Sequence, residues 1–525
     1  MASDGVAVDR KDATLLGHPK GLFVLFFAEM WERFSYYGMR ALLIFYLVRH
    51  WLYSDEQASV IYGAYTALVY ITPVVGGYLA DRYLGQRKAV LFGAVILTMG
   101  HFLMAFEGDG GQDSLAINIF WLALSFIIVG SGFLKANISV IVGQLYPRTD
   151  PRRDPAYTIF YMGINLGAAL GAIIAGYLGQ TWGWSWGFGA AGFGMLLGLV
   201  VFVWGKPWLL GRGEPPDPAR LAAPVAGIRL EWWLYILSIL SIGVVWWLVQ
   251  NQAVVGTLLG ISGAILVIYV LATAVTKLPP HDRDRIFAAM FLILGSILFW
   301  ALFEQAGSSI NLYTDRQVDR NILGYEVPAS VFQSINSIYI ITLGPLFAIL
   351  WTLLGRRGLE PSTPAKFGLA LVQLGVGFLI LVAGAAAAGP SNLTPVLFIF
   401  LLYLFHTTGE LCLSPVGLSA MNRLAPAHMA GLIMGTWFFA SAAGNFAAGL
   451  IAAATGAEGA GSDGAMDVYT TVGWSAVAVG VLVFIISPLV KKLMHLDTLQ
   501  TQSLSGEEEV GVPAAAGVNI TAETR

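Results

Sequence analysis

Between residues 29 and 40 the chain reads Glu29-Met-Trp-Glu32-Arg33-Phe-Ser-Tyr36-Tyr37-Gly-Met-Arg40, inside an otherwise apolar stretch from about residue 21 to 52. At helical spacing, positions 29, 33, 36 and 40 share one face, and 32 and 37 flank it. Two carboxylates, two guanidiniums and two phenols therefore line one side of one helix. A carboxylate in apolar surroundings is costly to ionise, whereas a neighbouring Arg favours its charged form. These opposed effects let proton occupancy respond to a ligand or to conformation, which is what a proton-coupled carrier requires. A static ion-pair cluster is the plainer alternative. A buried ion pair contributes little to stability, which argues against it.

Three more charges interrupt apolar stretches: Lys135, Glu304 and Glu410. With Glu29, Glu32, Arg33 and Arg40 they make seven. At mid-membrane each costs roughly 2.5–3.5 kcal/mol, so such residues face a cavity or each other and mark an ion or substrate path.

The elements that must position them follow from composition. Of 525 residues, 57% are hydrophobic and only 12% charged, and mean hydropathy is +0.70. Soluble proteins carry about 25% charge, so one polytopic membrane protein is expected. The net charge of −3 offers no basic surface for nucleic acid. Cys412 is the sole cysteine, which excludes an internal disulfide and a Cys-rich metal site. The seven His show no metal-ligand spacing, and no cofactor is expected beyond protons as the coupling ion. His101 and His406 lie in spans and read mainly as packing.

Stretches of about 20 apolar residues fall near 22–50, 58–80, 88–107, 116–145, 157–179, 184–208, 231–250, 253–276, 285–312, 328–354, 366–388, 394–424, 428–455 and 468–494, which makes 14 spans. Pro73, Pro345 and Pro415 are candidate kinks, and Gly163, Gly167 and Gly171 have the spacing of close helix packing. Numbered from an inside N-terminus, the inside segments hold 23 of the 29 basic residues and the outside loops hold Arg49, Arg316 and Arg320. This asymmetry places both termini in the cytoplasm. The polar start of the chain reads as no removable signal peptide.

Gly77 to Lys88, joining the second and third spans, is close to a loop pattern of the major facilitator superfamily, two six-span halves around a midplane site. The expected fold is thus all-α. It comprises a cytoplasmic tail (1–20), a six-helix bundle (21–208), a linker with two extra helices (209–280), a second six-helix bundle (281–495) and a disordered tail (496–525). The Pro-rich segment 211–226 reads as a flexible loop.

The first-span pattern Glu-x-x-Glu-Arg-Phe-x-Tyr-Tyr-Gly resembles the signature of the proton-dependent oligopeptide transporter (POT) family. Gly132-Phe-Leu-Lys135-Ala-Asn-Ile-Ser139, Phe160-Tyr-Met-Gly-Ile-Asn165-Leu-Gly and Gly409-Glu410-Leu-Cys-Leu-Ser414-Pro resemble its fourth-, fifth- and tenth-span motifs. The likeness runs from about residue 20 to 495 and matches the prokaryotic members. It implies a proton-coupled importer of di- and tripeptides in a bacterial inner membrane, in contact with lipid and monomeric. The histidine that animal members carry in the second span is absent here, which moves proton handling toward carboxylates.

A site accepting peptides of any sequence must clamp what is constant in them. Arg40 and Lys135 suit the carboxylate, Glu410 the ammonium group, and Asn165 and Asn336 the termini or amides. Tyr36, Tyr37, Tyr70, Trp300 and Trp437 would form walls. The resemblance implies that Ser414 lies near the peptide's amino end and that Glu304 binds a proton. Glu29, Glu32, Arg33 and Glu304 form the expected proton-coupling set. Lys135–Glu410 and Arg40–Glu304 are expected to be gating bridges between the halves.

Three rival classes remain. A drug or small-acid carrier would share the topology without needing the clamp, and competition by di-alanine separates the two. Nitrate-carrying relatives typically alter the Glu-x-x-Glu-Arg motif, which is complete here. A membrane-embedded enzyme would need a motif such as the metal-binding His-Glu-x-x-His, which the chain lacks.

Overall fold

The computed structural model describes residues 14–147, 150–456 and 461–496. Most of the expected tails, before residue 14 and after 496, lies outside the described residues. Six long helices come first: α1 (Lys20–Arg49), α2 (Asp55–Leu79), α3 (Gln86–Met104), α4 (Ile117–Gln144), α5 (Arg153–Thr181) and α6 (Trp184–Trp204). A short α7 (Pro218–Ala222) leads to the hairpin α8 (Leu230–Gln250) and α9 (Gln252–Lys277). The second half consists of α10 (Pro280–Phe303), the short α11 (Ser309–Gln317), α12 (Ser334–Arg356), α13 (Thr363–Ala388), α14 (Leu397–Leu424), α15 (Ala430–Thr455) and α16 (Gly461–Leu493). Among the described residues, thirteen helical segments are long and apolar enough to cross a membrane. The fourteenth long helix is α1, 30 residues, set apart by its charges.

Local chemistry sets the ends. Ser54 caps α2, its hydroxyl accepting from the Gln57 amide at 3.2 Å, with Asp55 and Glu56 in the first turn. Pro280 opens α10, where a missing N–H costs nothing. Pro73, Pro345 and Pro415 do lie inside helices, as does Pro488. After α2 the chain makes a wide helical turn, Ala80–Leu84, and stops at Gly85 with φ 73°. A Cβ there would lie 2.5 Å from the Glu214 backbone, so both conformation and space demand glycine.

The basic loop after α2 latches onto the linker and the start of α8. Arg87 pairs with Glu214 at 2.6 Å, its amide bonds to Gly213 O at 2.8 Å, and Lys88 pairs with Glu231 of α8 at 2.6 Å. The linker expected to be flexible is therefore pinned near its start, at Gly213 and Glu214.

Gly163, Gly167 and Gly171 face α1, as their spacing predicts. A Cβ on Gly167 would sit 2.1 Å from Met30 O, and one on Gly171 2.3 Å from Phe34 O. That contact fixes the rotation of the charged helix. The apolar core falls into two clusters, one mainly of α1–α6 and one mainly of α10–α16. The hairpin spans them: Ile242, Val245 and Val249 of α8 join the first, and Val270 and Ala274 of α9 the second.

The expected continuous span 285–312 is broken. Helix α10 ends at Phe303, a tight turn covers Glu304–Gly307, and α11 resumes at Ser309. Gly307 has no room for a side chain, because the Tyr62 hydroxyl occupies the place of its Cβ.

Candidate functional site

A cavity with about 1020 Å³ of empty space, part of it open to solvent, lies between the halves. Helices α1, α2 and α5 supply Tyr37, Arg40, Tyr70 and Asn165. From the second half come Trp300, Glu304, Asn336, Glu410 and Ser414. Nine residues singled out by sequence thus meet on one surface, from seven segments of chain. Small side chains, Ala168 and Ala172, keep the α5 wall open.

Charge is arranged in three groups. Arg40 forms an ion pair with Glu304, and its Nε donates to the Tyr62 hydroxyl at 2.5 Å. The Tyr37 and Tyr62 rings lie 5.8 Å from the guanidinium carbon. Deeper along α1, Arg33 Nε donates to Glu29 at 2.7 Å and lies 3.3 Å from Glu32. Glu29 and Glu32 are each 1% exposed, and both Glu32 oxygens lack a hydrogen bond among the described residues. On the opposite wall, Asn336 Nδ2 donates to Glu410 Oε2 and to Thr407 Oγ1, each at 3.0 Å. The amide thereby orients the Glu410 carboxylate.

Some expected residues are placed differently. Lys135 does not pair with Glu410 in this conformation. Its ammonium sits 3.8 Å from the centre of the Tyr36 ring and 5.0 Å from that of Tyr70, a cation–π seat. Tyr36 is fully buried beneath it and does not line the cavity. Trp437 is also no wall of this cavity. It packs against Phe367, with ring centroids 6.4 Å apart, and fills the place of a side chain at Gly417. Asn165 donates to Tyr161 O at 3.1 Å, and the Trp300 indole N–H has no partner among the described residues.

The cavity also uses Tyr161, Gln333, Tyr403 and His406, which sequence reading passed over as site residues. The signal was present. Tyr161 is one helical turn from Asn165, Gln333 is next to the α12 start near Asn336, and Tyr403 and His406 share the Glu410 face of α14.

The halves are joined where α1 runs into α2. There Arg49 pairs with Asp315 and Arg316 with Asp55. Asn311 donates to Ala41 O at 3.1 Å, and Ser330 N to Gln180 at 2.9 Å. Gly63 of α2 meets Gly449 of α15 so closely that a Cβ would lie 2.7 Å from backbone.

A many-helix membrane protein with a charged cavity between two helical halves is a transporter scaffold. Residues 87–463 match the sequence model of the POT family, and the chain belongs to that family. It is an integral multi-pass membrane transporter of the major facilitator type and not an enzyme. The peptide transporter YePEPT of Yersinia enterocolitica is 35% identical over 467 residues, 83% of this chain and 88% of that protein. Dipeptide and tripeptide permease B of Photorhabdus luminescens is 32% identical over 92% of this chain and 98% of its own length. Among solved structures, a mutant of the peptide transporter POT in complex with alafosfalin superposes with a TM-score of 0.80. It shows 34% identity and covers 92% of this chain and 97% of its own. A POT family transporter in complex with 5-aminolevulinic acid gives 0.78 at 30% identity, covering 91% of this chain and 98% of its own.

Proposed function

We propose that this chain is a proton-coupled symporter that imports di- and tripeptides through the cavity between its halves. The observation that carries the reading is the polarity of that cavity. Arg40 lies on one wall and the Asn336-held Glu410 on the other. A peptide presents a carboxylate and an ammonium at its two ends and suits such walls in one orientation. Relatives named as dipeptide and tripeptide permeases support the substrate class. The alafosfalin and 5-aminolevulinic acid complexes support ligands that are amines and acids at once.

Coupling arises from competition for Arg40. The guanidinium is held by Glu304, so a peptide carboxylate gains it most easily when Glu304 is protonated. Lys135, seated on the Tyr36 and Tyr70 rings, is a second cation for the same carboxylate. The Glu29, Glu32 and Arg33 cluster is the further proton store. The halves, residues 21–208 and 281–495, rock about the cavity, with the 209–280 hairpin riding between them. Loop charge puts both termini in the cytoplasm of a bacterial inner membrane, so the closed α1–α2 end is the outer one. Opening outward breaks Arg40–Glu304, and the inner end then closes through Lys135–Glu410. The working unit is a monomer in lipid.

The test is di-alanine uptake into liposomes under an imposed proton gradient. Glu32→Gln should abolish gradient-driven uptake and spare peptide counterflow. Intact gradient-driven uptake in that variant removes the cluster from coupling.

A further inference from the structure

We propose a second binding site, for the primary ammonium headgroup of a membrane lipid, at the tip of the α8–α9 hairpin. A cavity there, with about 720 Å³ of empty space, is lined by Tyr53, Glu56, Gln57, Trp121, Gln250 and Gln252, together with Val60 and Ile61. It is separate from the central cavity and shares no residue with it.

Its chemistry is that of an acceptor. Gln250 and Gln252 spend their amide hydrogens on their own helix ends, donating to Trp246 O at 2.8 Å and Val249 O at 2.7 Å. Their carbonyl oxygens are left to face a donor. Glu56 is exposed and forms no ion pair among the described residues, unlike its neighbour Asp55, which is taken by Arg316. Among the described residues no cation lines the cavity. Tyr53 and Trp121 stand edge to face, with centroids 6.3 Å apart, and offer π faces to a cation. One carboxylate, two amide oxygens and two aromatic rings match an ammonium group with hydrogens to donate, and the lining offers no cation to hold a free phosphate.

The surroundings make it a lipid's ammonium. The hairpin reaches the cavity with its sides bare: Trp247 is 50% exposed and Leu258 51%, one on each helix flanking the tip. Acyl chains lying on those apolar faces bring a headgroup to the level of the α8–α9 turn. The site sits where the hairpin meets α2 and α4, so an occupied headgroup ties the hairpin to the first half.

The experiment is native mass spectrometry of the purified full chain with phosphatidylethanolamine, phosphatidylcholine or phosphatidylglycerol supplied in equal amounts. Phosphatidylethanolamine should be retained most strongly, and Glu56→Gln should weaken its retention about fivefold, the loss expected for one half-exposed charged contact. Gln252→Leu should act in the same direction. Neither residue belongs to the central cavity, so unchanged di-alanine uptake in both variants confirms the fold. Equal retention of phosphatidylglycerol, or retention in Glu56→Gln equal to the native chain, overturns the proposal. Protection from heat by free ethanolamine equal to that given by the lipid would assign the site to a soluble amine and overturn it as well.

Discussion

Arg40 on α1 and Glu304 at the break after α10 form an ion pair that crosses from one half of the chain to the other, with both side chains almost wholly buried. Both residues line the central cavity, Glu304 at the point where α10 ends. Coulomb attraction between such groups is offset by their desolvation, so the pair matters less for net stability than for what its loss leaves behind.

Replacing one partner strands the other charge in a buried site. Arg40→Met or Glu304→Met alone should each lower stability by about 3 kcal/mol, whereas the double variant should lose clearly less than the sum. Thermal or denaturant unfolding in detergent reads the cycle. Additive losses would show that the two residues do not depend on each other.

At the α1–α2 end the closing contacts are more exposed. Arg49 and Arg316 are 48% and 44% exposed, so each of their pairs, with Asp315 and Asp55, is worth about 1 kcal/mol or less. Asp315→Asn combined with Asp55→Asn should shift the population toward opening at this end by roughly tenfold, while either change alone does much less. Ala172→Cys on the cavity wall reports it by labelling with a membrane-impermeant thiol reagent. The native Cys412 is buried and gives little background. Unchanged labelling in the double variant would show that these pairs do not hold the end shut.

On the proposed cycle, the same closure also rests on the contact between Gly63 and Gly449. Gly63→Val puts branched carbon where Gly449 backbone already lies, so α2 and α15 must separate at a cost of about 1–3 kcal/mol to the closed form. The variant should fold, because this contact lies between the halves and not inside either core cluster, and it should label faster at Ala172→Cys. Slower labelling would reverse the assignment of which conformation this contact supports.

How much of this was readable in advance depends on the physics of each residue. Charges inside apolar spans are so costly that their presence alone marks the site, and Arg40, Glu304 and Glu410 stood out for that reason. Helical spacing placed Gly163, Gly167 and Gly171 on one face correctly. Aromatic residues are different, because a Tyr or Trp in a span packs as readily as it lines a pore. Trp437 and Tyr36 turned into the protein while Tyr161 and Tyr403 turned to the cavity, and the difference lies in the neighbouring helices rather than in the residues' own. The break at Glu304 was hidden for a similar reason. The apolar run up to Phe303 carried the expected span on through the polar stretch 304–311, and the close neighbour at Gly307 is Tyr62, far earlier in the chain. The Lys135–Glu410 bridge fails in this conformation because each partner has another holder, Tyr36 and Asn336.

The Glu410 wall makes the sharpest prediction about substrate. With Asn336 Nδ2 held 3.0 Å from Glu410 Oε2, the carboxylate is fixed in one orientation and keeps its other oxygen for a ligand. On the proposed reading, a free peptide amino terminus donates to it with charge assistance, a contact worth about 1.5–3 kcal/mol, whereas an acetylated terminus cannot. Di-alanine should therefore compete for uptake roughly 10–100-fold better than N-acetyl-di-alanine. Glu410→Gln should remove most of that discrimination by weakening di-alanine, not by improving the acetylated peptide. Asn336→Ala should weaken both the affinity and the discrimination part of the way, because the carboxylate remains but is no longer oriented. Competition curves for the two peptides in the native chain and both variants read this directly. Discrimination that survives in Glu410→Gln would place the amino end of the peptide elsewhere in the cavity.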